Sequence, residues 1–291
     1  MKCQSCDEIS VQSDYCKVHF IEYFEAKVID TVEKFNLISK TDKVAVACSG
    51  GKDSTALLYI LHKNRFNVEA LAIDEGIAGY RDKTLLDLKK VCDEFGIKLN
   101  VHSYQDNYST TLDNFLSKNP NSKACSVCGV WRRNLLNRNA KGYDKLATGH
   151  NLDDEAQSIM MNLLLSNIKV LARLGPKTGV SESPEFIPRV KPLYFITEKE
   201  TAVYSMLKQF DIQYSECPNA VDSFRASVRD QLNQQESITP GVKKNVIEWF
   251  LELKPALMKK YCGKIKLCSC GQPSENDLCK SCSQLRIVVK A

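Results

Sequence analysis

The stretch from Lys43 to Leu61, KVAVACSGGKDSTALLYIL, constrains the fold of this chain more than any other. β-branched and small apolar residues give way to Ser-Gly-Gly-Lys-Asp-Ser and then to helix formers, so a strand must turn through a glycine pair straight into a helix. Backbone N–H groups at such a turn surround one small volume at a helix N-terminus. That geometry favours an anion, and Lys52 adds positive charge. A plain glycine turn would not need Ser49, Lys52, Asp53 and Ser54 together. A Walker A loop does not fit, because its first glycine is missing from the required place.

The pattern that starts here continues. Strands are predicted at Val44–Cys48, Val68–Ile73, Lys98–His102 and Lys145–Thr148, separated by helices near Ser54–Lys63, Asp82–Phe95, Val130–Ala140 and Leu152–Leu165. Strand and helix in alternation imply an α/β fold, a Rossmann-like parallel sheet wrapped by helices. Ahead of it, Phe20, Tyr23, Phe24, Val28, Val32 and Phe35 recur at spacings of three and four, which predicts an amphipathic helix over Phe20–Leu37. Between Ala172 and Pro192, Gly, Pro and Ser accumulate and a loop is expected over the sheet's edge or over a site. Helices are expected again over Thr197–Phe210, with Thr197 as N-cap and Glu200 completing a capping box, and over Val221–Gln235 and Val242–Lys260. The resulting division is 1–19, 20–42, 43–235, 236–261 and 262–291: head module, linking helix, α/β domain, basic helical segment and tail module.

The 291 residues suffice for one large core with small attachments. No apolar run reaches membrane-spanning length and the N-terminus is unlike a signal peptide, so a cytoplasmic protein with no membrane partner is expected. A net charge of +5 gives nucleic acid only a modest preference as partner. The 13 cysteines say more, because a cytosolic chain keeps so many chiefly to bind metal. At the head, Cys3-x2-Cys6 and Cys16-x2-His19 make two ligand pairs suited to a tetrahedral zinc in a segment with little core of its own. At the tail, Cys268, Cys270, Cys279 and Cys282 make a second zinc site. There Cys268-x-Cys270 departs from the usual spacing, and Cys262 is a possible substitute ligand.

Two further segments bear on the glycine loop. AIDEGIAGYRD, Ala72 to Asp82, begins where an α/β sheet opens its ligand crevice, and ATGHNLDDEAQSIMMNLL, Ala147 to Leu164, sets His150, Asn151, Asp153 and Asp154 at a helix start. Carboxylates there suit Mg2+ on nucleotide phosphates or proton transfer, although the same residues also serve as plain helix caps. SGGKDS resembles the PP-loop of N-type ATP pyrophosphatases. Together with CSVCGVWRR and ECPNAVDSFR, these segments resemble the tRNA 2-thiolation enzymes of the TtcA/TtuA group over nearly the whole chain. DEGIAGYRD and CSVCGVWRR look most like the archaeal and eukaryotic cytosolic members that modify the wobble uridine.

That resemblance implies an enzyme that cuts ATP between the α and β phosphates, adenylates O2 of a tRNA uridine and exchanges it for sulfur, at position 34 in preference to position 54. Ser49, Gly50, Gly51, Lys52, Asp53, Ser54, Ile73, Gly149 and Asp154 would hold the nucleotide. Lys52, Asp53, Asp153 and Arg132 would act in catalysis, with one of Asp153 or Asp154 organising Mg2+ or the α-phosphate. Cys125, Cys128 and Cys217 would hold three irons of a [4Fe–4S] cluster and leave one iron open to sulfide. The same three thiols would equally carry a persulfide and close a disulfide, and a third zinc site is a further alternative. The implied cofactors are ATP, Mg2+, the cluster and two Zn2+. The implied partners are tRNA, sulfide or a ubiquitin-like sulfur carrier, and a second copy of the chain.

For RNA contact, the segment from Lys243 to Lys266 offers lysines with Trp249, Phe250 and Tyr261, while Arg132, Arg133, Arg225 and Arg229 are placed near the interior cysteines. Two other readings of the chain are a PP-loop amidating synthetase, which leaves the interior cysteines unexplained, and a non-catalytic zinc-ribbon RNA-binding adaptor, which leaves the intact loop unexplained. Cys48 and Cys92, in a strand and a helix, are read as buried apolar residues.

Overall fold

The computed structural model describes residues 2–178, 187–212, 217–220, 223–261, 266–274 and 276–289. In chain order its elements are α1 (Lys17–Lys34), β1 (Lys43–Ala47), α2 (Lys52–Lys63), β2 (Asn67–Asp74), α3 (Arg81–Phe95), β3 (Leu99–Ser103), α4 (Tyr104–Tyr108), α5 (Leu112–Lys118), α6 (Ala124–Asn139), β4 (Lys145–Thr148), α7 (Leu152–Leu164) and α8 (Ile168–Leu171). There follow β5 (Lys177–Thr178), β6 (Arg189–Val190), α9 (Glu198–Leu207), α10 (Phe224–Ile238), α11 (Val242–Tyr261), β7 (Lys266–Leu267), β8 (Pro273–Ser274) and α12 (Lys280–Val289).

The main sheet has the order β3-β2-β1-β4-β6-β5, parallel except for the antiparallel β5–β6 pair at its edge. The chain moves outward from β1 to β2 and β3, then returns to the other side of β1 with β4. A topological switch point therefore lies between β1 and β4, where such sheets bind ligands. Side chains alternate as the pleat requires: Val44, Val46, Ala70 and Ala72 enter the core under α1, α2 and α9, while Ala45, Leu71 and Ile73 enter the core with Tyr104, Phe115, Trp131 and Leu135. A third core joins α7, α10 and α11 through Ile159, Val228, Leu232, Ile247 and Phe250.

Three sequence expectations are corrected. The helix expected from Val130 begins at Ala124, so Cys125 and Cys128 lie within its first turns; the weak helix formers CSVCG hid that start, and burial of Val127, Cys128 and Trp131 overrides propensity. Of the expected loop from Ala172 to Pro192, residues 179–186 lie outside the described residues, and the flanking parts contain the two-residue strands β5 and β6, too short to show alternation. The helix expected from Val221 is capped by Ser223 and runs on to Ile238. The capping box of Thr197 and Glu200 forms as expected. Cys48 and Cys92 are buried, as expected of apolar residues.

Glu200 also organises the head of the chain, accepting from Ser13 Oγ at 3.4 Å, Tyr23 OH at 3.2 Å and Lys27 Nζ at 2.9 Å. On the other end of the sheet, Glu69 accepts from Tyr143 OH at 2.6 Å and pairs with Lys43 and Lys98. The Tyr143 hydrogen bond, aided by Asn100 and the two lysines, outweighs burial and holds its carboxyl down to about 2. A depressed carboxyl stabilises the fold above its unfolded value near 4.5, and that stability is lost as pH falls toward about 2. Glu69→Gln is accordingly expected to lower the urea midpoint at pH 7, with the difference from wild type shrinking between pH 5 and pH 3.

Candidate active site

The loop after β1 is folded on itself. Ser49 N–H donates to Ser54 Oγ at 3.2 Å, the two hydroxyls lie 3.3 Å apart, and Ser54 Oγ donates to the Gly51 carbonyl at 3.1 Å. Gly51 caps α2 without a side-chain hydrogen bond, leaving amides of the first turn free for an anion. Two glycines are sterically required. Gly50 has φ +81°, and a Cβ there would lie 2.1 Å from the Thr84 carbonyl oxygen of α3. A Cβ on Gly149, just past β4, would meet Ser54 N at 2.9 Å.

Lys52 reaches over this loop, its Nζ 3.0 Å from Asp53 Oδ2 and 3.0 Å from Glu198 Oε1 at the start of α9. Burial opposes its charge, but the two carboxylates outweigh it and hold the pKa above the ordinary lysine value. Asn151 Nδ2 donates to Asp53 Oδ1 at 3.0 Å.

The two adjacent aspartates separate into different roles. Asp153 is buried, accepts from Glu198 N–H at 2.8 Å and pairs with Lys243, so both its oxygens are committed to packing. Asp154 closes the capping box with Asn151 through one oxygen and turns the other toward Arg225 at 3.4 Å. Its side chain is 34% exposed in the crevice. Desolvation, with Asp53 and Glu198 nearby and Arg225 opposing, pushes its carboxyl up to about 6. Ile73 lies near the end of β2, its side chain in the core and its carbonyl accepting from Arg81 Nε at 2.9 Å.

Cys125 and Cys128 sit at i and i+3 in the first turns of α6, on one face and near the positive end of the helix. Cys125 Sγ donates to the Asn219 carbonyl at 3.1 Å, which brings the segment of Cys217 alongside. Burial raises the Cys217 thiol, and Cys128 and Cys125 add to that rise, so the three sulfurs share one neighbourhood. They do not belong to the groups whose ligand atoms all lie within 4.8 Å, which among the described residues are the head and tail sets. Arg132 Nη2 donates to Cys128 Sγ at 3.1 Å, and Arg132 Nε pairs with Glu75 at 2.8 Å. Burial opposes the charge of Arg132, yet Glu75 and the Cys128 sulfur keep it more firmly protonated than usual.

At the crevice mouth cations outnumber their acidic partners. Arg189 donates to the Arg133 carbonyl at 3.2 Å and Asn137 Oδ1 at 2.6 Å, and burial with Arg133 beside it lowers its pKa to about 10. Burial and the cations Lys191, Arg225 and Arg189 take His150 down to about 4, against the opposing Glu155, so its imidazole is neutral at physiological pH. Of the arginines anticipated here, Arg225 faces the crevice, bonded to Gln157 and Ser158, while Arg229 lies 3.4 Å from Asp230. Of the aromatics of α11, Trp249 is exposed and Phe250 belongs to the core.

The terminal cysteines assemble as anticipated. Cys6 and Cys16 sulfurs lie 3.7 Å apart, His19 Nδ1 is 3.4 Å from both Cys3 and Cys16, and Cys270 and Cys279 sulfurs are 3.6 Å apart. Tetrahedral zinc, with Zn–S near 2.3 Å, sets sulfurs about 3.8 Å apart. Cys268 belongs to the tail set despite its shortened spacing, and Cys262 lies outside the described residues.

Sequence reasoning missed Glu75, Arg81, Arg189 and Glu198. Glu75 and Arg81 stood within DEGIAGYRD, yet their partners lie far off along the chain; Glu198 was legible only as part of a helix start.

A self-folded glycine loop between parallel strand and helix, at the switch point and beside paired carboxylates, defines a PP-loop nucleotide-binding enzyme. The PP-loop domain model matches residues 22–236. The tRNA-5-methyluridine(54) 2-sulfurtransferase of Pyrococcus horikoshii is 36% identical, covering 97% of this chain and 93% of its own. Cytoplasmic tRNA 2-thiolation protein 1 of Drosophila ananassae is 38% identical over 92% of this chain and 80% of its own. Among solved structures, the U34-tRNA thiolase NcsA from Methanococcus maripaludis with its [4Fe–4S] cluster matches with a TM-score of 0.82 at 34% identity, covering 99% of this chain and 96% of that one. The chain belongs to the PP-loop family of tRNA 2-thiolation enzymes.

Two outcomes follow for the nucleotide side. Gly50→Ala introduces strain of about 1–3 kcal/mol at the loop, and calorimetry is expected to show ATP affinity reduced by about tenfold or more with the far-UV spectrum unchanged. Asp154 has a folded pKa raised from 3.8 to about 6, so its ionisation destabilises the fold as pH rises through that window. Asp154→Asn is therefore expected to raise the thermal midpoint of the nucleotide-free protein at pH 7.5, with the gain shrinking toward pH 5.

Proposed function

We propose that this protein converts a tRNA uridine, the wobble uridine at position 34, to 2-thiouridine, using ATP to activate O2 and then replacing that oxygen with sulfur. The observation that carries this reading is the convergence of the nucleotide loop and three cysteines on one crevice, joined by Arg132 at a cysteine sulfur.

In the first half-reaction the free amides of α2 and Lys52 take the β and γ phosphates, Lys52 exchanging its contact with Glu198 for the nucleotide. Asp53, Asp154 and Glu198 surround that position, and the desolvated charge of Asp154 suits a cation. These three would hold Mg2+, which would screen the phosphates; Asp153 acts instead by fixing the start of α9. O2 of the uridine attacks the α-phosphorus and pyrophosphate leaves; sulfide-level sulfur then adds at C2, and AMP departs carrying the former O2. Three converging thiols, one buried and one exposed, fit a [4Fe–4S] cluster, which when bound supplies an iron without a protein ligand for the incoming sulfide. Arg132 keeps a donor on the Cys128 sulfur, while Arg133, Arg189 and Arg225 face tRNA phosphates and Trp249 offers a face to a base.

The head and tail ligand sets fit one structural Zn2+ each, with no open coordination position. The sulfur comes from sulfide or from a ubiquitin-like carrier. A homodimer in the cytoplasm completes the reading; among the described residues no helix is long and apolar enough to cross a membrane.

The experiment is an anaerobic reconstitution with iron and sulfide, followed by ATP, Mg2+ and bulk tRNA. Digestion and mass spectrometry are expected to find 2-thiouridine mapped to position 34; product at position 54 moves the assignment to the T-loop, and AMP release without any thiolated nucleoside removes the thiolase reading. Cys217→Ala is expected to abolish product, by at least about a hundredfold, while ATP binding stays as in wild type.

A further inference from the structure

Glu75 follows β2 and is 4% exposed, yet no step of the activity described so far uses it. Its Oε2 lies 2.9 Å from Arg81 Nε and its Oε1 2.8 Å from Arg132 Nε, so one carboxylate is divided between two guanidinium groups. These groups serve different halves of the crevice. Arg81 Nη1 donates to the Ser49 carbonyl at 2.5 Å and to Thr84 Oγ1 at 3.1 Å, holding the nucleotide loop from behind. Arg132 Nη2 donates to Cys128 Sγ at 3.1 Å. An unbroken series of charged contacts therefore runs from the loop backbone to a sulfur.

The two arginines differ in their freedom to leave. Arg81 is 3% exposed and anchored by three further oxygens, those of Ile73, Ser49 and Thr84. The Arg132 side chain is 45% exposed, and besides the Cys128 sulfur its partner is Glu75. A carboxylate taken out of water among arginines is expensive to desolvate, and a core of this size does not need one. What it supplies is direction, because a guanidinium fixed by one bidentate-capable partner presents its other N–H groups at a set angle.

We propose that Glu75 is the positioning residue of the sulfur site: braced on Arg81, it aims the guanidinium of Arg132 at the Cys128 sulfur. The identity of that sulfur as a cluster ligand rests on the thiolase reading; the aiming does not, and is tested in cluster-free protein. Without the Glu75 charge, Arg132 turns to solvent and the sulfur loses its donor, while Arg81 stays with the loop.

The test is the mobility and environment of the Arg132 guanidinium, read in cluster-free protein labelled with 15N-arginine from the heteronuclear NOE and chemical shift of its Nε–H, with ATP affinity measured alongside; Arg132→Met assigns the resonance by deleting it. A guanidinium held between a carboxylate and a sulfur moves with the protein, so Glu75→Gln is expected to cost Arg132 its rigid NOE while the Arg81 Nε–H keeps its own. Cys128→Ala is expected to shift the Arg132 resonance in the wild-type background and not in Glu75→Gln, since Glu75 is what aims the guanidinium at that sulfur. ATP affinity in Glu75→Gln stays within about threefold of wild type. A rigid Arg132 Nε–H in Glu75→Gln, or an Arg132 resonance that ignores Cys128→Ala in the wild-type background, overturns the proposal. Should Glu75→Gln not fold, Glu75→Asp keeps the charge and withdraws it by one methylene; it is expected to loosen Arg132 as well, and a wild-type NOE there overturns the proposal too. A wild-type protein that reconstitutes no cluster would remove the cluster reading and leave this result intact.

Discussion

The site depends on how tightly the loop after β1 is gripped. On one side the backbone of α3 approaches Gly50 so closely that no Cβ fits, and on the other the turn after β4 does the same through Gly149 against Ser54. Both contacts exist because β1 lies between β2 and β4 in parallel register, which delivers their following turns to the same edge. Held this way, the loop cannot relax into a generic turn, and its amides are oriented by its own packing. Preorganisation of that kind lets dipoles stabilise charge without reorganising when it arrives.

Around this fixed point the charged residues form two families. Lys52, Asp53, Asp154 and Glu198 face one another across the crevice, partly open to water. Arg81 and Glu75 are sealed from solvent. The first family suits a ligand that enters and leaves at every turnover; the second suits a geometry that must survive turnover. Asp153 belongs in character with the second, its carboxylate spent on Lys243 and on the amide of Glu198.

Most of the architecture was legible in the sequence, because its signals are local. Alternating periodicity located β1 to β4, the Thr197–Glu200 box marked the start of α9, and ligand spacing located both terminal groups of candidate metal ligands. What escaped was either very short or very distant. Strands β5 and β6 have two residues each, a single period of alternation and so no repeat to detect. The start of α6 was obscured since CSVCG is a poor helix by propensity and is held by packing around Trp131. Glu75 and Arg132 are 57 positions apart, and nothing in either neighbourhood announces the other. Asp153 and Asp154 are indistinguishable as letters; only the presence of Lys243 and of α9 against one of them separates their roles.

The packing of the tail module has a consequence in time. Helix α12 lies against α6, with Leu285 joining the core of Trp131, and Asn137 Nδ2 of α6 donates to Gln272 Oε1 of the ribbon at 2.8 Å. A chain leaves the ribosome from its N-terminus, so the nucleotide loop and its sheet are available to fold while the tail is still being made. The outer face of the helix that carries Cys125 and Cys128 stays uncovered until the ribbon and α12 have emerged. Biosynthesis thus supplies the glycine loop before the cover of the cysteine-bearing helix, which is open to its surroundings during that interval.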